Sequence, residues 1–273
     1  MGPEWASLAA QWGMFLVLGA VAGVLAGLLG VGGGLVLVAA LVLILPGQGV
    51  PRDAAMHAAL ATSLASVVVT SLASVRAHAR RGSVAWDSAA WLVPGLLAGA
   101  WLGSLVATRL AGASLRAFVV GYCVLAALQL LFGMPRARTD GAGDGGPRGL
   151  GLVAAGVGIG VVSALVGIGG GSMTVPLLVF LGLAPVRAVG TSSACGVAIG
   201  LAAAAGYALQ SRVPGMPPGS FGYVYLPAAI GISLTSAWMA PRGAALAHSI
   251  SPRALRRVFA AFLLAMAVVL LRA

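Results

Sequence analysis

A glycine cluster interrupts a long apolar stretch twice in this chain. It reads Gly23-Val-Leu-Ala-Gly-Leu-Leu-Gly30-Val-Gly32-Gly33-Gly34 and then, 137 positions later, Gly160-Val-Val-Ser-Ala-Leu-Val-Gly167-Ile-Gly169-Gly170-Gly171. Glycine costs chain entropy and offers no side chain to pack. A cluster of it inside a membrane-spanning pattern therefore marks a place where backbone leaves the helix for a reason. The duplication predicts the architecture, and the breaks predict the site.

Of the 273 residues 60% are hydrophobic and 8% charged. Several segments reach the roughly 20 apolar residues that cross a hydrocarbon core, so an all-α integral membrane protein with many spans is expected. The net charge of +11 comes from arginines in short connections, with no lysine anywhere. That pattern fits loop charge orienting a protein in a membrane and argues against a nucleic-acid partner. Cys123 and Cys195 lie inside apolar runs, away from any CxxC or Cys/His pairing, and read as packed thiols. The opening Met-Gly-Pro-Glu-Trp has no basic stretch ahead of its apolar run, so no cleaved targeting segment is expected.

The first broken stretch runs from Ser7 to Leu45, and helices are expected over Asp53 to Val75, Ser88 to Leu110 and Ser114 to Phe132. A solvated linker, 134–149, is rich in Gly, Pro, Arg and Asp. The series then repeats: a broken stretch from Leu150 to Leu181, and helices over Val186 to Leu209, Phe221 to Met239 and Pro252 to Leu271. Ala61-Thr62-Ser63 matches Gly190-Thr191-Ser192, Trp101 matches Trp238, and Leu115-Arg116 matches Leu255-Arg256. The chain thus divides into two homologous repeats, 1–133 and 150–273, joined by the linker.

Loop charge bears on how each broken stretch crosses the membrane. If each spans once (4+4), the arginines divide eight against eight and give no orientation. If each is a hairpin turning at the glycines (5+5), eleven arginines face one side and Arg52, Arg109, Arg116, Arg212 and Arg272 the other. Eleven against five is a positive-inside bias. It favours inverted repeats of five helical segments with both termini outside, in which Leu35 to Leu45 and Thr174 to Leu181 are half-helices.

The paired glycine clusters, Thr191-Ser192 after Val186-Arg187-Ala-Val-Gly190, and Gly222-Tyr-Val-Tyr-Leu-Pro227 resemble the TauE/SafE sulfite exporter family, also called the four-toluene-sulfonate uptake permeases. The resemblance covers nearly the whole chain and implies a multi-pass transporter of sulfite or organosulfonates in the cell inner (plasma) membrane. One departure stands out: Pro176 follows the second cluster as the family pattern expects, but Ala39 holds the matching first position. A first hairpin that is less rigid or less selective is expected.

The residues themselves point the same way. A non-helical turn in lipid leaves backbone N–H groups unpaired at a cost of several kcal/mol each, unless a ligand, water or protein meets them. Two such turns meeting near a two-fold axis aim half-helix N-termini at one point, which suits a small anion. The expected binding set is Gly30, Gly32, Gly33, Gly34, Thr62, Ser63, Gly167, Gly169, Gly170, Gly171, Ser172, Thr191 and Ser192, with Ser193 as a further donor. Hydroxyls bond sulfonate oxygens without fixed charge. The competing reading of the glycines is close helix packing, as in Gly19/Gly23/Gly27, and that of the hydroxyls is bonding one turn back within their own helix.

Ionisable residues within spans are scarce. Asp53 is expected to cap the helix holding His57, one turn on, and the pair is also the visible candidate for proton coupling. Asp87 beside Trp86 marks a helix start at the interface, His78 and His248 fall in basic loops, and Arg52 and Arg187 are equivalent loop charges able to draw anions. Scattered acids and histidines argue against an enzyme, and no metal or cofactor is expected. An anion leaving a cell that is negative inside gains about 2.3 kcal/mol per charge per 100 mV, so export needs no coupling ion. An anion channel and a proton-coupled uptake permease stay open as alternatives, as does the oligomeric state. Cysteine labelling in intact cells should place Gly2 and Ala273 outside and the 136–148 segment inside. Labelling of that segment from outside would exclude the inverted arrangement.

Overall fold

The structure, a computed structural model, describes residues 3–29, 33–132, 146–210, 213–246 and 252–272. Among them the chain forms α1 (Pro3–Leu29), α2 (Gly34–Ile44), α3 (Ala55–Ala79), α4 (Trp86–Ala107) and α5 (Gly112–Phe132), then α6 (Leu150–Val166), α7 (Gly171–Phe180), α8 (Pro185–Ala208), α9 (Leu226–Leu246) and α10 (Pro252–Arg272). Five are long and apolar enough to cross a membrane: residues Ala9–Leu28 of α1, and α3, α4, α5 and α8. The α2 helix spans only about 16 Å at 1.5 Å per residue, half a hydrocarbon core.

Helices α3 and α8 pack together at the centre, and α2 and α7 lie against α3 and α8 respectively. Around them α1 pairs with α9, α6 with α4, α9 with α3, α4 with α8, and α5 with α10. Exchanging α1–α5 with α6–α10 turns every one of these pairs into another member of the set or into itself. Trp101 and Trp238 both point outward, and the Arg242 guanidinium lies 3.5 Å over the Trp238 ring.

The outer seams are built on small residues, as close helix approach in lipid requires. A β-carbon added to Gly19, Gly23 or Gly27 of α1 would stand 2.3, 2.6 or 2.0 Å from the carbonyl oxygens of Ile232, Ser236 or Ala240 on α9. Across the other seam, one at Gly95, Gly99 or Gly103 of α4 would stand 2.0, 2.1 or 2.7 Å from those of Val153, Val157 or Val161 on α6. Gly156 and Gly160 of α6 answer against Leu92 and Leu96 at 2.6 and 2.7 Å. The packing reading of Gly19/Gly23/Gly27 is thus what the structure displays.

Three local expectations fail. The helix foreseen from Phe221 begins at Leu226, because a short hairpin (β1, Ser220–Phe221; β2, Val224–Tyr225) precedes it. Gly219 and Gly222, at φ +85° and +56°, hold a backbone conformation outside the right-handed helix and turn the chain there. Asp53 is not a cap: α3 starts after Ala54 with no side-chain cap, and Asp53 is exposed in the turn closed by Ala54 N–H on Pro51 O. His78 is not in a loop but buried in the last turn of α3. His248 and most of the linker lie outside the described residues.

Replacing Gly99 with leucine drives a side chain into the Val157 carbonyl and should cost about 1–3 kcal/mol or prevent folding. Gly121→Leu on α5, where no atom lies within 4 Å of an added β-carbon, should unfold on heating like the parent. Equal thermal stability of both variants in detergent would contradict the seam.

Candidate functional site

Both glycine clusters fold the chain back on itself. Gly33 (φ +69°) and Gly170 (φ +74°) are the N-caps of α2 and α7, in a left-handed conformation that glycine adopts without strain. A β-carbon on Gly33 would stand 2.4 Å from Ala22 O, two turns before the end of α1. One on Gly170 would stand 3.4 Å from Ile159 Cγ2 and 3.3 Å from Ser163 Oγ, both on the preceding α6. At each break the chain turns at a left-handed glycine and restarts as a short helix. The α6 helix ends at Gly167 (φ +78°), where the Gly167 and Ile168 N–H groups both donate to Ser163 O at 2.9 and 3.1 Å. Gly30 and Gly32 lie outside the described residues.

The two breaks touch. A β-carbon on Gly34 would stand 2.2 Å from Gly167 O. The fully buried Ser63 hydroxyl lies 3.0 Å from both Gly34 O and Gly167 O, so one O–H ties the breaks of the two halves. Gly169 and Gly171 are buried within the second break, and Gly196 of α8 comes so near that its β-carbon would stand 3.2 Å from Gly169 O.

The other hydroxyls named from sequence divide by task. Thr62 Oγ1 accepts from Tyr225 N–H at 3.0 Å, at the entry to α9. Thr191 Oγ1 accepts from Ala85 N–H at 2.9 Å, at the entry to α4, and donates to Arg187 O at 2.7 Å. The paired threonines therefore hold equivalent chain entries. Ser192 is fully buried. Ser193 Oγ lies 3.0 Å from Ser74 Oγ and donates to Val189 O at 3.1 Å, so bonding one turn back occurs here as well. Ser172 is hydrogen-bonded to Tyr122 on α5.

Two hydroxyls escaped the sequence reading. Ser163 and Thr174 are fully buried beside the second break, and among the described residues Ser163 Oγ and Thr174 Oγ1 have no hydrogen-bond partner. With the 137-residue offset, Ser163, Ser172 and Thr174 correspond to Ala26, Leu35 and Leu37. The first break is lined by apolar side chains where the second carries hydroxyls. That offset was the available signal.

Asp53 and His57 are not at the breaks. His57 Nε2 stands 3.2 and 3.0 Å from Ala107 O and Leu110 O, so it carries the hydrogen and donates to both carbonyls. Its ring stacks on Tyr223 at 5.0 Å between centroids. Burial, and then the Asp53 carboxylate nearby, push the Tyr223 phenol above its ordinary pKa.

An all-α bundle with two broken helices meeting at its centre defines a multi-pass membrane protein built around a buried, uncharged polar site. The comparisons carry this further. Residues 15–270 match the family model "Sulfite exporter TauE/SafE". The chain is 35% identical over 257 residues to a "Probable membrane transporter protein" of Haemophilus influenzae, covering 93% of this chain and 95% of that one. No solved structure matches. The chain belongs to the TauE/SafE family and is a membrane transporter, not an enzyme.

Ser63→Ala removes the link between the breaks, takes from the buried Gly167 O the donor it has and should lower stability by about 1–3 kcal/mol. Ser163→Ala and Thr174→Val remove groups with no protein partner and should leave it within about 0.5 kcal/mol. Detergent-solubilised thermal melts of the three variants check this contrast, and equal losses would contradict it.

Proposed function

We propose that this protein carries small sulfur-containing anions, sulfite or organosulfonates, out of the cell across the inner membrane by alternating access, holding the anion against the half-helix N-termini at the two breaks. The observation that carries this reading is the second break. There, α7 begins at Gly170 without a side-chain cap, beside the buried and unpartnered hydroxyls of Ser163 and Thr174. The first N–H groups of a helix have no partner within it, and its dipole favours negative charge. Neutral hydroxyls complete such a site for an anion without trapping it by fixed charge. Gly33 and α2 supply the same backbone from the first half with apolar surroundings, so the anion is held asymmetrically, mainly by α7. Ser63 acts as the hinge pin between the breaks, and Thr62, Thr191 and Ser192 position the helices around them.

The two halves, 1–133 and 150–273 with the linker 134–149, act as inverted repeats that rock against each other. The interchange of helix pairs described above supports a two-fold relation between the halves, and the loop charge supports its being an inverted one. Inversion presents each half-helix to the same central point from opposite sides. Exit of the anion is driven by the membrane potential, so no coupling ion is required.

Counterflow in proteoliposomes against sulfite, sulfate, taurine and sulfoacetate tests the proposal. Flux of the accepted anion should follow an imposed potential and change little with a proton gradient of equal size. Ser163→Ala or Thr174→Val should raise the half-saturating concentration roughly ten-fold to a hundred-fold, the loss of a donor to a charged ligand being ~1.5–3 kcal/mol. Concentrative, proton-driven uptake with the potential clamped, abolished by Asp53→Asn, would overturn the export reading. Non-saturating flux would replace the transporter by a channel.

A further inference from the structure

The far end of α2 from the break opens on a cavity of about 1050 Å³. Its walls are the end of α2, the start of α3, the α4–α5 corner, the loop before β1 and the last residue of α10. This volume is at the upper end of small-molecule sites. Its ionisable lining is Arg52, Arg116, Arg272, Asp53, His57 and the Tyr223 phenol. Three guanidiniums against one carboxylate give the cavity a positive balance, and among the described residues none of the three is ion-paired.

The backbone adds to that balance. The N-terminus of α3 enters the cavity through Ala54, Ala55 and Met56 with no side-chain cap, and that of α5 through Ala111, Gly112 and Ala113. Both bring the positive ends of their dipoles. The opposing negative end, that of α4, is partly covered: Ala107 O in its last turn and Leu110 O in the turn beyond it take the Nε2 hydrogen of His57. His57 is 6% exposed, and its other nitrogen, Nδ1, is buried with no partner among the described residues. A carbonyl at the end of α4 is thus masked, while the start of α3 has no side-chain cap.

We infer that this cavity is a second oxyanion site, where a small sulfonate or sulfite ion is captured by Arg52 and Arg116 at the membrane surface before or after its passage through the breaks. Guanidinium donors match the oxygens of such an anion in bidentate fashion. Asp53, exposed beside them, weakens the hold and keeps the ion exchangeable. The α2 helix links the two sites, with Gly34 at the breaks and Val42 and Leu43 in the cavity wall, about 12 Å apart at 1.5 Å per residue. The inference rests on the anion-transport reading above. The same chemistry would also accept the headgroup of an anionic lipid, so lipid composition forms one arm of the test.

The test is counterflow of sulfite in phosphatidylcholine vesicles by the full chain, the Arg52→Gln/Arg116→Gln double variant, the Lys counterparts at the same two positions, and Asp53→Asn. The Gln double variant should raise the half-saturating concentration about ten-fold with the maximal rate kept within two-fold, and should flatten its dependence on salt. Lysines should restore most of the loss, and Asp53→Asn should lower the half-saturating concentration two-fold to three-fold. An unchanged half-saturation and salt dependence in the Gln variant would overturn the inference while wild-type counterflow persists. Should that variant fail to fold, a raised half-saturation in Asp53→Asn would overturn it equally. An arginine effect that appears only when anionic lipid is added would assign the cavity to lipid headgroups and overturn the inference. Wild-type protein that exchanges none of the sulfur anions would sink the transport reading itself.

Discussion

Everything in this fold depends on what happens to backbone polar groups where a helix stops inside a membrane. Each unpaired N–H or C=O there costs several kcal/mol, so a break must be answered by protein, water or ligand. The chain answers the carbonyl side with protein. Ser63 donates to Gly34 O and Gly167 O, and Ser163 O takes the N–H groups of Gly167 and Ile168. The amide side is left largely to the helix starts at Gly33 and Gly170, neither of which has a side-chain cap. Under the proposed function, that division, carbonyls met by protein and helix starts left uncapped, is what the anion uses.

The same economy runs through the packing. Burial of apolar surface gives little drive between helices in lipid, so association relies on close backbone approach. The glycine rows of α1 and α4 let α9 and α6 come within contact of their backbones, and α3 and α8 are pressed into the middle. Ser63 spans the two breaks through a single hydroxyl.

Much of this was legible in the sequence. Because glycine adopts φ near +70° without strain, the clusters announced the turns at Gly33 and Gly170. The half-helices followed from segment length. What sequence could not give were partners set by tertiary packing. Thr62 and Thr191 looked like substrate donors, yet each meets a backbone N–H, 163 and 106 residues away, at the start of another helix. Asp53 has the right residue type for a cap but sits one position too early, in a turn of its own. The β1–β2 hairpin is hidden because its strands are two residues each, too short for a strand pattern to stand out from the apolar run that follows. The asymmetry of the site, by contrast, was present as Ser163, Ser172 and Thr174 against Ala26, Leu35 and Leu37, and needed only the hairpin geometry to show that these residues surround one break.

The central claim is that the anion sits at the broken helices, chiefly at the start of α7. Crystals of the transport-competent protein soaked in selenite, the heavier isologue of sulfite, test it directly through the anomalous signal of selenium. The account predicts a peak whose oxygens lie within ~3 Å of the first amides of α7 and of Ser163 Oγ. No peak at either break under saturating selenite, in protein that still exchanges the ion, would contradict it.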